Sequence, residues 1–424
     1  MKNTSLFQND GGKSYIIPFI LVTSLFFMWG LANNMTDTML AAFKKIMSMS
    51  NFETSYIQVA FYGAYFCLAL PAAFLIKRFS YKSGILVGLI LYAGGCLLFY
   101  PASQAMSYDF FLVAYFIAAG GMSFLETSSN PYIITMGPEE TATRRLNLAQ
   151  SFNPLGSITG ILLSKFFILS HLNPANADER KNMPVDVLQE IQSKELSYIS
   201  NTYVLLGVVL VVIFLLILIV KMPKNSNEIP LSGNVFIRLL KNKKYSLGVL
   251  TQFFYVGAQI GVWSFTIAYA KDHLKISEDD AGTYYLASIV LFSIFRFIFT
   301  ALMKIIRPSL LLVYASIAAI IATSITILCG GMIGVISLVC ISVFMSLMFP
   351  TIYGIALHRL GDDTKIGGSG LIMAILGGAI LTAVQGKIYD IGNVNMSYIV
   401  PLICFIVVAA YGWWNSKKTS DVKQ

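Results

Sequence analysis

The chain has 424 residues and a formal net charge of +9, yet only 12% of its residues are charged and 56% are hydrophobic. Soluble domains carry about 25% charged residues, so a mean hydropathy of +0.70 excludes a soluble enzyme or a soluble nucleic-acid binder. The length fits about a dozen membrane spans of ~20 residues with their loops.

Twelve apolar segments are expected, near 15–42, 54–76, 83–103, 108–136, 146–170, 200–220, 244–270, 281–303, 309–329, 332–357, 366–389 and 396–415. The first is not a cleaved leader, because it runs on into the polar Asn33-Asn34-Met35-Thr36-Asp37 and further spans follow. Sorting Lys and Arg by alternate loops places 20 on the side of the termini and 7 on the other, with Lys165, Arg296 and Lys387 inside spans. That bias predicts both termini in the cytoplasm and a multi-pass protein of the cytoplasmic (inner) membrane. The five cysteines lie in apolar segments without metal-ligand spacing and read as small hydrophobes.

The outer stretch 171–199 is polar, and Pro184 to Lys194 is expected to form a short amphipathic helix on the surface. The longest polar cytoplasmic stretch, with Pro223 and Pro230, divides the chain into a bundle over 1–221, a linker over 222–243 and a bundle over 244–424. The expected fold class is therefore an all-α membrane protein of twelve helices in two six-helix bundles. That is the architecture of transporters that rock one half against the other around a central site.

Polar side chains inside the spans are grouped. Asp37 shares a face of span one with Asn33, and Asn34 lies three residues before it. Glu126 shares a face of span four with Ser129 and Asn130. Asn147, Gln150 and Asn153 recur at intervals of three in span five, and Gln259 and Trp263 are four apart in span seven. A carboxylate at mid-bilayer costs roughly 2.5–3.5 kcal/mol on insertion scales, so Asp37 and Glu126 are candidate proton carriers. Their bland alternative is a neutral acid tying two helices together. Amides donate and accept, as sugar hydroxyls do, and an indole covers the apolar face of a pyranose. The groups therefore suggest a sugar-type lining, against interhelical glue as the alternative.

Arg296 stands about eight residues from the inner end of span eight. It is a candidate gate residue bonding helix-end carbonyls or an acid, or else a snorkelling anchor. His171, His273 and His358 lie at loop edges and suit no proton relay. No nucleophile–base pair, metal cluster or Walker-type loop is found, so no enzyme activity, cofactor or metal is expected.

The chain resembles the fucose–proton symporter family of the major facilitator superfamily along essentially its whole length. The most specific pieces are Ala32-Asn-Asn-Met-Thr-Asp37, Leu125-Glu-Thr-Ser-Ser-Asn-Pro131, Arg145-Leu-Asn-Leu-Ala-Gln-Ser-Phe-Asn153, Tyr255-Val-Gly-Ala-Gln259 with Trp263, and Phe349-Pro-Thr-Ile-Tyr353. The resemblance implies proton-linked roles for Asp37 and Glu126. It implies that the sugar-facing amides are Asn34, Gln150, Asn153 and Gln259, and Glu126, Asn130, Trp263 and Phe349 are further candidate substrate-binding residues. Its implied partners are a monosaccharide, protons and the bilayer, with no nucleic acid. Thr36 and Thr127-Ser128-Ser129 depart from the pattern of fucose carriers. A glucose/galactose-type carrier, including a sodium-coupled one, stays open, and an exporter of amphiphilic compounds is the more distant alternative.

Overall fold

The computed structural model describes residues 6–7, 15–47, 49, 51–175, 179–180, 182–222 and 235–418. Side chains at 36–38, 40, 41, 44, 51–55, 58, 278, 279 and 418 lie outside that description. Among the described residues, twelve helices are long and apolar enough to cross a membrane. Spans one to four are Ile16–Ile46, Asn51–Arg78, Tyr81–Gln104 and Tyr108–Thr135. Span five is built from Ala142–Gln150, Asn153–Leu163 and a π turn at Ser164–Ile168. Span six is Val185–Ile219, span seven Lys243–Leu274, span eight Glu278–Leu302 and span nine Pro308–Cys329. Span ten combines Gly331–Met345 with Met348–Leu357. Span eleven combines Thr364–Met373 with Gly377–Ile391, and span twelve is Ile399–Lys418.

Local chemistry marks the helix starts. Ser80, Asn242 and Ser277 accept main-chain N–H groups at the starts of spans three, seven and eight, satisfying donors that a helix start leaves open. Pro308 sits in the first turn of span nine, where its missing N–H costs nothing. Gly330 separates spans nine and ten at φ 56°, a left-handed conformation that glycine reaches without strain.

One expectation is corrected. The stretch after Pro184 is not a separate surface helix but the first turns of span six, continuous over 35 residues. No glycine or proline interrupts these first turns, so nothing ends the hydrogen-bond ladder. Glu195 on this extension is buried and holds the buried Arg180 through two bonds of 2.6 and 2.8 Å. The same Glu195 accepts the N–H of Asn173 at 2.7 Å. The polar segment before span six is thus organised around one buried ion pair. The expected linker also contains a helix, Val235–Lys241.

Residues 16–129 pack with 155–226 as one compact unit, and 130–154 pack with 227–424 as another. In the first unit, span three runs along span six. Span five lies against span one there: a methyl at Gly156 would fall 1.9 Å from the carbonyl oxygen of Phe27, so only glycine permits the approach. In the second unit, span nine packs on spans ten and twelve, and span seven on spans eleven and twelve.

Candidate functional site

In the unit of residues 16–129 and 155–226, the acid of span four has a phenol as its partner. Glu126 is half-buried, and the hydroxyl of Tyr65 in span two is hydrogen-bonded to it. Tyr65 is itself 3% exposed. Its main-chain carbonyl accepts from Ser123, one turn before Glu126, at 3.1 Å. That bond fixes the register of the two helices so that phenol and carboxyl meet. Phe61 packs on Tyr65 with ring centroids 4.8 Å apart and stacks on Tyr115 at 6.0 Å. Apolar ring surface therefore surrounds the acid's partner. Asn34 is half-buried, and its Nδ2 donates to Gly30 of its own helix at 3.3 Å. Asp37 lies on span one, with its side chain outside the described residues.

The other unit contains the amides. Asn130 is fully buried, and its Oδ1 accepts from Nε2 of Gln150 at 2.7 Å. These two predicted residues, twenty apart in sequence, form one hydrogen-bonded pair. Gln150 ends the helix Ala142–Gln150, so its main-chain carbonyl lacks an intrahelical partner. Arg296 supplies one: Nη1 donates to that oxygen at 2.9 Å, and Nε donates to the carbonyl of Ser346. Ser346 closes the helix Gly331–Met345. One guanidinium thus caps the C-terminal ends of two broken helices. Helix C-termini carry partial negative charge, which suits a buried cation. At 3% exposure, Arg296 is no snorkelling anchor.

The guanidinium also lies over the ring of Phe292, 4.6 Å from its centroid. Phe292 meets Trp263 edge to face at 5.0 Å, and the indole N–H donates to Ser342 at 3.1 Å. Trp263 is thereby fixed in orientation and remains half-buried. One turn earlier, Gln259 is half-buried with no hydrogen-bond partner among the described residues. Phe349 packs between Tyr255, at 6.4 Å, and Tyr353, at 6.3 Å. Asn147 reaches Thr351 at 3.3 Å. Asn153 is half-buried at the start of the second piece of span five.

Sequence reasoning did not single out Tyr65, Phe292 or Ser342. A phenol in mid-span two and an aromatic four residues before Arg296 were available signals. Nothing in the sequence marks Ser342.

The stretch 138–141 and the turn after span ten carry a second polar group. Glu139 accepts the N–H of Arg359 at 3.1 Å and lies 3.8 Å from Nε2 of His358. Nδ1 of His358 is 3.5 Å from Nζ of Lys244. Burial, then the charge of Lys244, hold the His358 imidazole below its ordinary value of 6.5, against the pull of Glu139. Arg238 grips Asp363 through two bonds of 2.9 and 2.7 Å, close in sequence to this turn.

Residues 20–383 match the model of the Major Facilitator Superfamily. The chain is 43% identical over 416 residues to an L-fucose-proton symporter of Haemophilus influenzae, covering 95% of this chain and 97% of that protein. It is 35% identical over 416 residues to a glucose/galactose transporter of Brucella abortus, covering 97% of each. A crystal structure of the superfamily transporter FucP in the outward conformation aligns with a TM-score of 0.89 at 36% identity, covering 95% of this chain and 99% of that one. A twelve-helix, multi-pass membrane protein with these matches is a transporter and not an enzyme, and the chain belongs to the fucose–proton symporter family of the major facilitator superfamily.

Proposed function

We propose that the protein imports a monosaccharide, L-fucose or a related hexose, together with protons by alternating access. The observation that carries this reading is Glu126, a half-buried carboxyl within span four held by the hydroxyl of Tyr65. In the protonated state it donates to a sugar hydroxyl, and the neutral site crosses the low-dielectric region without the cost of a buried charge. On opening to the cytoplasm the site hydrates, and proton and sugar leave. Each inward proton gains ~2.3 kcal/mol per 100 mV of membrane potential, which supports accumulation without ATP.

The roles follow from this scheme. Asp37 serves proton entry or triggers reorientation. Asn34, Asn130, Gln150, Asn153 and Gln259 offer amides to sugar hydroxyls. Trp263 and Phe349 cover the apolar sugar face. Arg296 holds the cytoplasmic gate closed through the carbonyls of Gln150 and Ser346. The moving bodies are the sequence halves 1–221 and 244–424 joined by 222–243, and both termini face the cytoplasm of a cell with this inner membrane. The positive-charge bias supports that orientation. The relatives named for glucose and galactose keep those hexoses among the substrates to be tried.

The test is uptake into sealed vesicles with a panel of monosaccharides. An inward proton gradient drives accumulation, and a protonophore abolishes it. Uptake that follows a sodium gradient and ignores the protonophore overturns the coupling.

A further inference from the structure

Span eleven is two helices joined by a tight 3-10 turn at Ala374–Leu376. Such a turn within a helix marks a place where the pieces can change angle. Gly377 at the joint lies directly on span seven, where an added methyl would fall 2.0 Å from the carbonyl oxygen of Phe253.

The second piece carries an unpaired polar face. Thr382 and Gln385 stand three residues apart, hence on one side of the helix. Gln385 is 0% exposed, and neither Oε1 nor Nε2 has a hydrogen-bond partner among the described residues. The hydroxyl of Thr382 is buried and without a partner there too. The amide of Gln385 lies in a notch made by Gly261 of span seven, where a methyl would come within 2.1 Å of Oε1. Leu381 fills the adjoining notch at Gly257. Leucine thus satisfies this interface one helical turn away, and packing alone gives no reason for an amide. A buried amide left unpaired keeps the full cost of leaving water. Its two donors and its acceptor oxygen, with a hydroxyl beside them, match the donor–acceptor character of a polyol.

We propose that Thr382 and Gln385 form a sugar-hydroxyl subsite on span eleven, engaged when Gly377–Ile391 turns about the joint at Ala374–Leu376 and draws the amide out of the Gly261 notch. This rests on the sugar-transport reading and deepens it, by giving the last third of the chain a share of the sugar's hydroxyls.

The experiment uses the full chain, reconstituted, as parent, Gln385→Leu, Gln385→Met and Thr382→Val. L-fucose and D-galactose counterflow is measured beside the thermal midpoint of each protein. Replacing an unpaired buried amide with an apolar group leaves the midpoint equal to the parent's or higher. Counterflow falls roughly 5- to 150-fold in both Gln385 variants, the range expected for one lost ligand contact, and less in Thr382→Val. A raised midpoint with unchanged counterflow overturns the subsite, because the amide is then only tolerated. A lowered midpoint in all three variants also overturns it, because these atoms are then paired within the fold. Both outcomes are read against an active parent. A parent that exchanges neither sugar overturns the transport reading itself, and the subsite falls with it.

Discussion

Nη1 of Arg296 donates to the main-chain oxygen of Gln150 across 2.9 Å, so a cation in span eight closes the break in span five. A bond from a charged donor contributes about 1.5–3 kcal/mol, and Arg296 makes two, with the Phe292 ring beneath. Arg296→Ala is expected to lower the thermal midpoint and to abolish accumulation. Arg296→Lys keeps the charge without the planar fork and is expected to recover little. A lysine variant that accumulates sugar like the parent would show that charge alone suffices.

Glu126→Gln keeps a hydrogen-bond donor and removes the titrating proton. It is expected to bind sugar and to exchange it in counterflow, yet to fail at accumulation against a gradient. Tyr65→Phe removes the phenol from the acid and is expected to weaken coupling while the fold stays intact. Asp37→Asn is expected to lose accumulation with binding largely kept. Paired counterflow and proton-driven uptake on the same reconstituted proteins read out each case. If Glu126→Gln accumulates sugar as the parent does, the acid only ties helices together.

Gln150→Ala removes the donor that the buried Asn130 side-chain oxygen accepts from and takes an amide from the proposed sugar face. A loss of about 1–3 kcal/mol follows, or roughly five- to 150-fold in affinity. Asn153→Ala is expected to weaken binding in the same range. Isothermal titration with the transported sugar checks both, and unchanged affinity in both folded variants removes these amides from the site.

His358 gives the fold a pH response. Burial disfavours its protonated form, as do Lys244 and Arg359, whereas Glu139 and Glu140 favour it. The first set wins, so the folded value lies below 6.5, and between the two values the unfolded chain binds more protons. Stability contributed by the neutral imidazole is full above about pH 6.5 and is lost as pH falls through that window. His358→Gln is expected to flatten this part of the profile. Thermal midpoints from about pH 7.5 to 5.5 decide it, and identical slopes for parent and variant would refute it.

The spans were legible because a bilayer demands long apolar runs, and the helices fall close to the segments expected from hydropathy. Where polarity and helix geometry disagree, polarity misleads. The residues after Pro184 are polar, but nothing in them stops a helix, so span six begins there. The kind of contact made by Arg296 was legible, since a buried guanidinium must find oxygens. Which carbonyls it finds is set by Pro154 and Pro350, which cannot donate to the oxygens four residues back, those of Gln150 and Ser346. The Asn130–Gln150 pair and the Tyr65 partner of Glu126 arise from packing between helices distant in sequence. Periodicity places each residue on a face but does not say which face meets which.

Arg145 is fully buried and donates to the carbonyls of Ile133 and Ile134 and, through Nη1, to that of Leu6 at 3.3 Å. A direct bond of this kind cannot be made through a bilayer. The segment at Leu6 and the connection from span four to span five must therefore occupy the same compartment. Wherever a reporter fused to the amino terminus is found, the basic pair Arg144-Arg145 is found too, so one sidedness measurement orients two loops. The bond is also one such a fusion can give up: a carrier that pulls Leu6 away leaves Nη1 the hydroxyl of Thr141 and the carbonyl of Pro138 as acceptors in the connection between two spans.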